Sequence, residues 1–334
     1  MSKFSIILPV RNGGEFVKEC VSSILAQSYT DFDLLILDNN STDSTLEWIQ
    51  SVSDNRIKVY SSQKPLSIEE NWGRVTSIPK NEFITLIGHD DILNSDYLET
   101  MNSLILSYPD AGLYQTHFTY INTKSGKIRN CKPMSEVESA EDFLKNFLIR
   151  NIDVMGTGFM MRSKDYDSLG GIPPYPNLLF ADFELWINLS KVSHKATSAK
   201  KCFSFRLHQS TTTVSPDIKF HQAFGKFIYF LHDLKREKES FDTIIIKYAG
   251  EFLSFYCRGL SHRLLRTPIS QRSGLTVKEF INNCKQYAGL LGIEDSFKPD
   301  KIFSIRLAKM IDSNAITRFV FLSFKKVFPT PIMK

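Results

Sequence analysis

SIILPVRNGGEFVKECVSSILAQSY, residues 5–29, decides the fold. The apolar run FSIIL (Phe4–Leu8) has the length of a buried strand. Beyond the turn at Pro9–Gly14, Val17, Cys20, Val21, Ile24 and Leu25 recur at the i, i+3, i+4, i+7, i+8 spacing of one core-facing helix face. Working outward, DLLIL (Asp33–Leu37) is a second strand, followed by a helix through Leu46, Trp48 and Ile49 that Ser41 or Thr42 is placed to cap. RIKVY (Arg56–Tyr60) and FITLI (Phe83–Ile87) repeat the theme. Strand runs that are apolar on both faces and separated by helices predict a doubly wound α/β architecture with a mainly parallel sheet.

Past Ala111 the alternation loosens. GLYQTHFTYIN and GTGFMMRS read as strands and GGIPPYP (Gly170–Pro176) as a turn, so residues 111–214 are expected to form a lobe packed onto the sheet. From Ser215 the pattern is helical: Phe224, Phe227, Ile228 and Leu231 share a face, and Lys235–Glu239 is a solvated charge run.

The chain has 334 residues, 42% hydrophobic and 12% aromatic, which excludes a disordered segment or a small disulfide scaffold. Cys20, Cys131, Cys202, Cys257 and Cys284 are odd in number and never spaced C-x-x-C, which argues against a disulfide framework or a cysteine-rich zinc site. The N-terminal apolar run meets Pro9 and Arg11 too soon for a signal segment or a membrane span, so a cytoplasmic chain is expected. The net charge of +5 is uneven. Up to Val214 there are 21 basic against 25 acidic side chains, and from Ser215 there are 20 against 11.

In open α/β sheets ligands bind beyond the carboxyl ends of the strands. After the first strand comes Pro9-Val10-Arg11-Asn12-Gly13-Gly14, a turn into a helix whose free N–H groups suit a phosphate, or an ordinary βα turn. It has neither G-x-G-x-x-G nor a P-loop, which disfavours a dinucleotide dehydrogenase and a P-loop NTPase. After the second strand comes Asp38, and after the fourth Gly88-His89-Asp90-Asp91. Two consecutive carboxylates aimed at one crevice either share a proton or bind a metal, unless one of them simply caps the helix near Asn94 or Asp96.

These segments, SIILPVRNGGEFVKECVSSILAQSY, LLILDNNSTDST, the loop with Asn71 and Gly73, and LIGHDDIL, resemble in order the nucleotide-binding half of the inverting family 2 glycosyltransferases. GTGFMMRSKDYDSLGGIP, FADFELWINLS and FRLHQSTTT resemble the acceptor-side segments, so the likeness covers about two thirds of the chain. The resemblance implies a nucleotide-diphospho-sugar transferase fold over residues 1–214, with a nucleotide-binding half (1–110) and an acceptor half (111–214), followed by a helical basic region (215–334). It implies that Pro9, Val10, Arg11, Asp38 and Asn71 hold the nucleotide, and that Asp90 contacts the ribose or diphosphate. Asp91 is implied as ligand to Mn²⁺ or Mg²⁺, and Asp182 as the base that deprotonates the acceptor hydroxyl. The sequence departs from the family's D-x-D-D form at Gly88 and has Ala181 where a glutamate often precedes the base. Asp182 as a plain helix cap is the alternative for that residue. His208 is a candidate to complete the metal shell, or a structural histidine, and Arg206 a candidate to grip a diphosphate.

The expected activity is transfer of a sugar from a nucleotide-sugar donor to a glycan or lipid-linked acceptor, in surface polysaccharide assembly. A sugar nucleotidylyltransferase and a non-catalytic scaffold of the same fold are the rivals. The segment from Ile302 mixes Phe, Ile, Leu and Val with Arg306, Lys309, Arg318, Lys325 and Lys326, the composition of a basic amphipathic helix. It suits an anionic membrane surface at the inner face of the plasma membrane, or packing within the protein. No motif accompanies it that would bind nucleic acid.

Overall fold

β1 (Phe4–Val10) is buried along its whole length between two parallel neighbours, β2 (Phe32–Asp38) and β4 (Phe83–Leu86), in a computed structural model that describes residues 2–208 and 217–328. β3 (Ile57–Val59) pairs in parallel with the outer side of β2. α1 (Gly14–Leu25) buries Val17, Cys20, Val21 and Ile24, the face its periodicity predicts. α2 (Thr45–Ser51), α3 (Ile68–Gly73) and α4 (Tyr97–Ser107) come next, α3 opened by a capping box between Ser67 and Glu70.

Beyond β4 the sheet continues. β6 (Leu113–Ile121), β9 (Phe159–Arg162) and β10 (Lys195–Arg206) extend it to the order β3-β2-β1-β4-β9-β6-β10-β5, with β5 (Ile92–Leu93) last. β7 (Lys127–Asn130) and β8 (Val137–Glu138) pair with β6 and β10. β9 runs antiparallel to both neighbours, whereas β10 is parallel to β6. The sheet is therefore parallel over β1–β4 and mixed beyond. GLYQTHFTYIN and GTGFMMRS are strands of this sheet, not of a lobe laid upon it. Their polar residues blur the sequence pattern because they are paired inside: Gln115 is 2% exposed and accepts from Lys195 Nζ at 3.3 Å, and Lys195 forms a buried ion pair with Glu138 at 2.7 Å.

The described chain divides into two compact units, the first running to Phe143 and resuming over Ile152–His208, the second taking Leu144–Asn151 and the described residues beyond His208. The second unit is helical: α8 (Lys219–Glu237), α9 (Glu239–Arg266), α10 (Val277–Leu291), α11 (Phe303–Asp312) and α12 (Ala315–Val327). Phe224, Phe227, Ile228 and Leu231 are fully buried on α8, as their spacing requires. α10 starts in a capping box (Thr276, Glu279) and ends at Gly292 in the left-handed region. Among the described residues no helix is long and apolar enough to cross a membrane.

Candidate functional site

β1 and β2 end level, Val10 opposite Asp38. The amides of the turn after β1 are not free for a phosphate: Asn12 N–H donates to Ser41 Oγ (3.0 Å), Gly13 N–H to Thr45 Oγ1 (2.8 Å) and Gly14 N–H to Asp43 Oδ2 (3.3 Å). Asn12, at φ 52°, accepts in return from Thr42 N–H at 2.8 Å. This lacing also explains why Ser41 and Thr42 do not cap α2, whose N-cap is Ser44. Long-range partners of this kind leave no local signal in sequence.

Around the laced loops sit the expected nucleotide residues. Pro9 and Val10 are buried and Arg11 is exposed. Asp38 is fully buried and accepts from Ser41 N–H at 3.4 Å. Asn71 is buried on α3, donating to Leu37 O (3.3 Å) and accepting from Arg74 Nη1 (2.9 Å). Arg74, just past α3, also donates to Asp38 O and Tyr60 O, tying the end of that helix to the ends of β2 and β3. Sequence reasoning missed Arg74, although it stands three residues after Asn71, one helical turn along.

The consecutive carboxylates of Asp90 and Asp91 point to different partners. Asp90 Oδ2 is hydrogen-bonded to His208 Nε2. Asp91 is 1% exposed; its Oδ2 accepts from the Thr157 hydroxyl (2.7 Å) and its Oδ1 from Arg206 N–H (3.0 Å). Burial, then the charge of Asp90, pushes the Asp91 carboxyl well above the usual carboxylate range. Burial also acts to raise Asp90, but the His208 hydrogen bond and the charges of His89 and His208 outweigh it and hold that carboxyl low. Neither residue caps α4, whose N-cap is Asp96. Gly88 has a steric reason: a Cβ there would lie 2.8 Å from Asp90 Oδ1 and 3.1 Å from Asp91 Oδ2, so no side chain fits while both carboxylates keep their places.

Arg206 does not reach out to a diphosphate. Its guanidinium is buried and donates to Asp90 O (2.6 Å), Asn122 O (3.2 Å), Ser125 Oγ (3.0 Å) and Glu19 Oε2 (2.6 Å). It ties β10 to α1 and to the turn after β6, a positioning role, because four acceptors of the protein already surround it.

Asp182 lies in the first turn of α7 (Ala181–Ser190). The N-cap is Phe180, at φ 67°, so Asp182 is not the cap, and the approach holds Asn177 and Leu178 in the left-handed region as well. Burial pushes the Asp182 carboxyl up to about 6, against a hydrogen bond from the Phe183 amide. Its Oδ2 lies 3.6 Å from where a Cβ on Gly156 would stand. Gly156 is followed by Thr157, the partner of Asp91. Two consecutive residues at the entry to β9 thus bring the acid of α7 and the acids after β4 into one site.

A cation fits part of this set. Among the described residues no three His, Cys, Asp or Glu side chains converge on a metal position. Asp91, the expected ligand, is 1% exposed, and each of its oxygens accepts one hydrogen bond from the protein, which orients the carboxylate and leaves lone pairs on both oxygens. Asp90 and His208 are the more open candidates, with side chains 21 and 24% exposed: a cation between them would replace the hydrogen bond they now share, with phosphate oxygens and water as its remaining ligands.

The sheet order with acids at its carboxyl edge defines a nucleotide-sugar transferase fold. The chain shares it with residues 1–349 of TarS from S. aureus solved with UDP-GlcNAc, at a TM-score of 0.65 and 14% identity over 92% of this chain and 91% of that one. The model of glycosyl transferase family 2 matches residues 5–170, and the chain belongs to that family. Glycosyltransferase GlyG of Streptococcus pneumoniae is 30% identical over 99 residues, 29% of this chain and 33% of that protein. The Escherichia coli UDP-Glc:alpha-D-GlcNAc-diphosphoundecaprenol beta-1,3-glucosyltransferase WfgD is 24% identical over 209 residues, 62% of this chain and 78% of WfgD. The chain thus spans only a third of GlyG's length.

Proposed function

We propose that this chain moves a sugar, with inversion, from a nucleoside-diphosphate donor to a hydroxyl of a glycan or lipid-linked acceptor in surface polysaccharide assembly. The observation that supports the reading is the Gly156–Thr157 junction, where Gly156 lies against a carboxylate of raised pKa and its neighbour Thr157 donates to Asp91. Inversion needs a base on the face of the sugar opposite the leaving diphosphate, and a carboxyl titrating near 6 is ionised at neutral pH yet basic enough to accept the hydroxyl proton. Asp182 takes that role. Pro9, Val10, Arg11, Asp38 and Asn71 hold the nucleoside at the ends of β1 and β2, and Asp90 with His208 faces the diphosphate.

Asp90 and His208 would hold Mn²⁺ or Mg²⁺, which when bound supplies positive charge to the leaving diphosphate. TarS, solved with UDP-GlcNAc, and WfgD, named for a UDP-Glc donor and a diphosphoundecaprenol acceptor, support a UDP-sugar and a lipid-linked acceptor here. Such an acceptor is met at the cytoplasmic face of the membrane. A nucleotidylyltransferase is disfavoured by the turn after β1, whose amides are occupied by Ser41, Thr45 and Asp43.

The test is calorimetric titration with a panel of nucleoside diphosphates, with Mn²⁺ and then with a chelator, followed by assay of the matching nucleotide sugar. Cation-dependent binding of one nucleotide with release of the diphosphate is the expected result. Absence of binding under both conditions would leave a scaffold of the same fold.

A further inference from the structure

α12 (Ala315–Val327) is built inside out. None of its residues is buried. At 100° per residue its half-buried side chains Thr317, Arg318, Phe321, Leu322 and Lys325 fall on one arc, and Arg318 is pinned there, donating to Leu265 O (3.3 Å) and Thr267 O (2.7 Å). The opposite arc carries Ile316, Phe319, Val320, Phe324 and Val327, exposed at 73, 71, 60, 53 and 70%. A helix on a protein surface normally turns such a stripe inward, and a contiguous apolar patch of several hundred Å² on the solvent side marks an interaction surface.

We propose that this arc docks on an anionic lipid surface, lying in the interface with Phe319 and Phe324 inserted. Charge selects the occupant. α12 contains Arg318, Lys325 and Lys326 and no acidic residue, and the chain from Ser215 onward has 20 basic against 11 acidic side chains. Lys326 lies exposed at the flank of the apolar arc, where its ammonium can reach headgroup phosphates. Phe303 and Met310, 69 and 57% exposed, stand on the same side of α11 as Arg306, a second face of the same composition. A second copy of this chain would instead bring like charges together. The inference deepens the lipid-linked acceptor reading, since it holds the enzyme where such an acceptor lies, but it is measured without turnover.

The experiment is co-sedimentation of the full chain with phosphatidylcholine vesicles containing or lacking phosphatidylglycerol, alongside light scattering of the protein alone. Binding is expected only with the anionic lipid, weakening with salt. It should fall about fivefold for Lys326→Gln, and more than tenfold in Phe319→Ser/Phe324→Ser, with nucleotide affinity unchanged as the control for folding. Equal affinity for neutral vesicles, no binding to either, or a dimer that the Phe319→Ser/Phe324→Ser change dissolves would overturn the proposal. If vesicles bind but no nucleotide does, the surface stands and the transferase reading falls.

Discussion

Asp182→Asn should inactivate the protein and make it more stable at the same time. The carboxyl sits at about 6 instead of 3.8 because burial disfavours its charge. A rise of about two pH units corresponds to ~3 kcal/mol at 1.36 kcal/mol per unit, and the remaining exposure of the side chain reduces this to ~1–2 kcal/mol. The sign comes from the folded value lying above the unfolded one. Below about pH 4 both states are protonated and there is no penalty; between about 4 and 6 the unfolded chain ionises first, and above 6 the folded protein holds an unfavourable charge. Asparagine keeps an acceptor for the Phe183 amide and removes that charge. The melting temperature at pH 8 should rise by about 2–4 °C per kcal/mol for a unit of this size, and the gain should vanish by pH 4. Loss of a general base should cost about 10²–10⁴ in turnover, and wild-type kcat/KM should climb with pH through about 6. Thermal scans at both pH values and a diphosphate-release assay decide the matter. A variant with wild-type turnover refutes the base, and a stability difference that is the same at pH 4 and pH 8 refutes the buried charge.

Other substitutions separate chemistry from architecture. Gly88→Ala places a Cβ 2.8 Å from Asp90 Oδ1, so nucleotide affinity measured by calorimetry should fall about tenfold while the fold loses less than ~1 kcal/mol. Asp90→Asn should remove the cation-dependent part of nucleotide binding at near wild-type stability. Asp91→Ala instead leaves Thr157 and the Arg206 amide without an acceptor and should cost ~2–4 kcal/mol in chemical denaturation. Arg206→Lys loses the fork that reaches Asp90 O, Asn122 O and Glu19 together, and should likewise destabilise by about 2 kcal/mol or more, with a weakened nucleotide site as its consequence.

Residues 1–110 were legible because their strands are apolar on both faces and their acids stand at or just past strand ends, Asp38 closing β2 and Asp90 and Asp91 following β4. The helical face of Phe224, Phe227, Ile228 and Leu231 was equally plain. Direction and partnership were beyond the reach of the sequence. Nothing local distinguishes Asp90 from Asp91; a hydroxyl 66 residues away and an amide 115 residues away draw the second one inward. The same holds for Arg206, whose value as a diphosphate clamp depended on Glu19 lying elsewhere. β6 and β10 escaped recognition as strands of the main sheet because Gln115 and Lys195 look like surface residues until Glu138 is placed beside them. In FRLHQSTTT, residues 209–213 lie outside the described residues.

The backbone bond from Arg206 to Asp91 also sets a timetable. At the ribosome residues 1–110 emerge with the inner carboxylate unmet; the Thr157 hydroxyl is made 66 residues after Asp91 and the Arg206 amide 115 residues after it. At about 5–20 residues per second that is an interval on the order of 6–20 s. Thr157 and β9 are made a little past midway through that interval, and Arg206 and His208 only at its end, so nascent chains stalled before residue 206 should not retain nucleotide. Competence arrives abruptly, with the last strand.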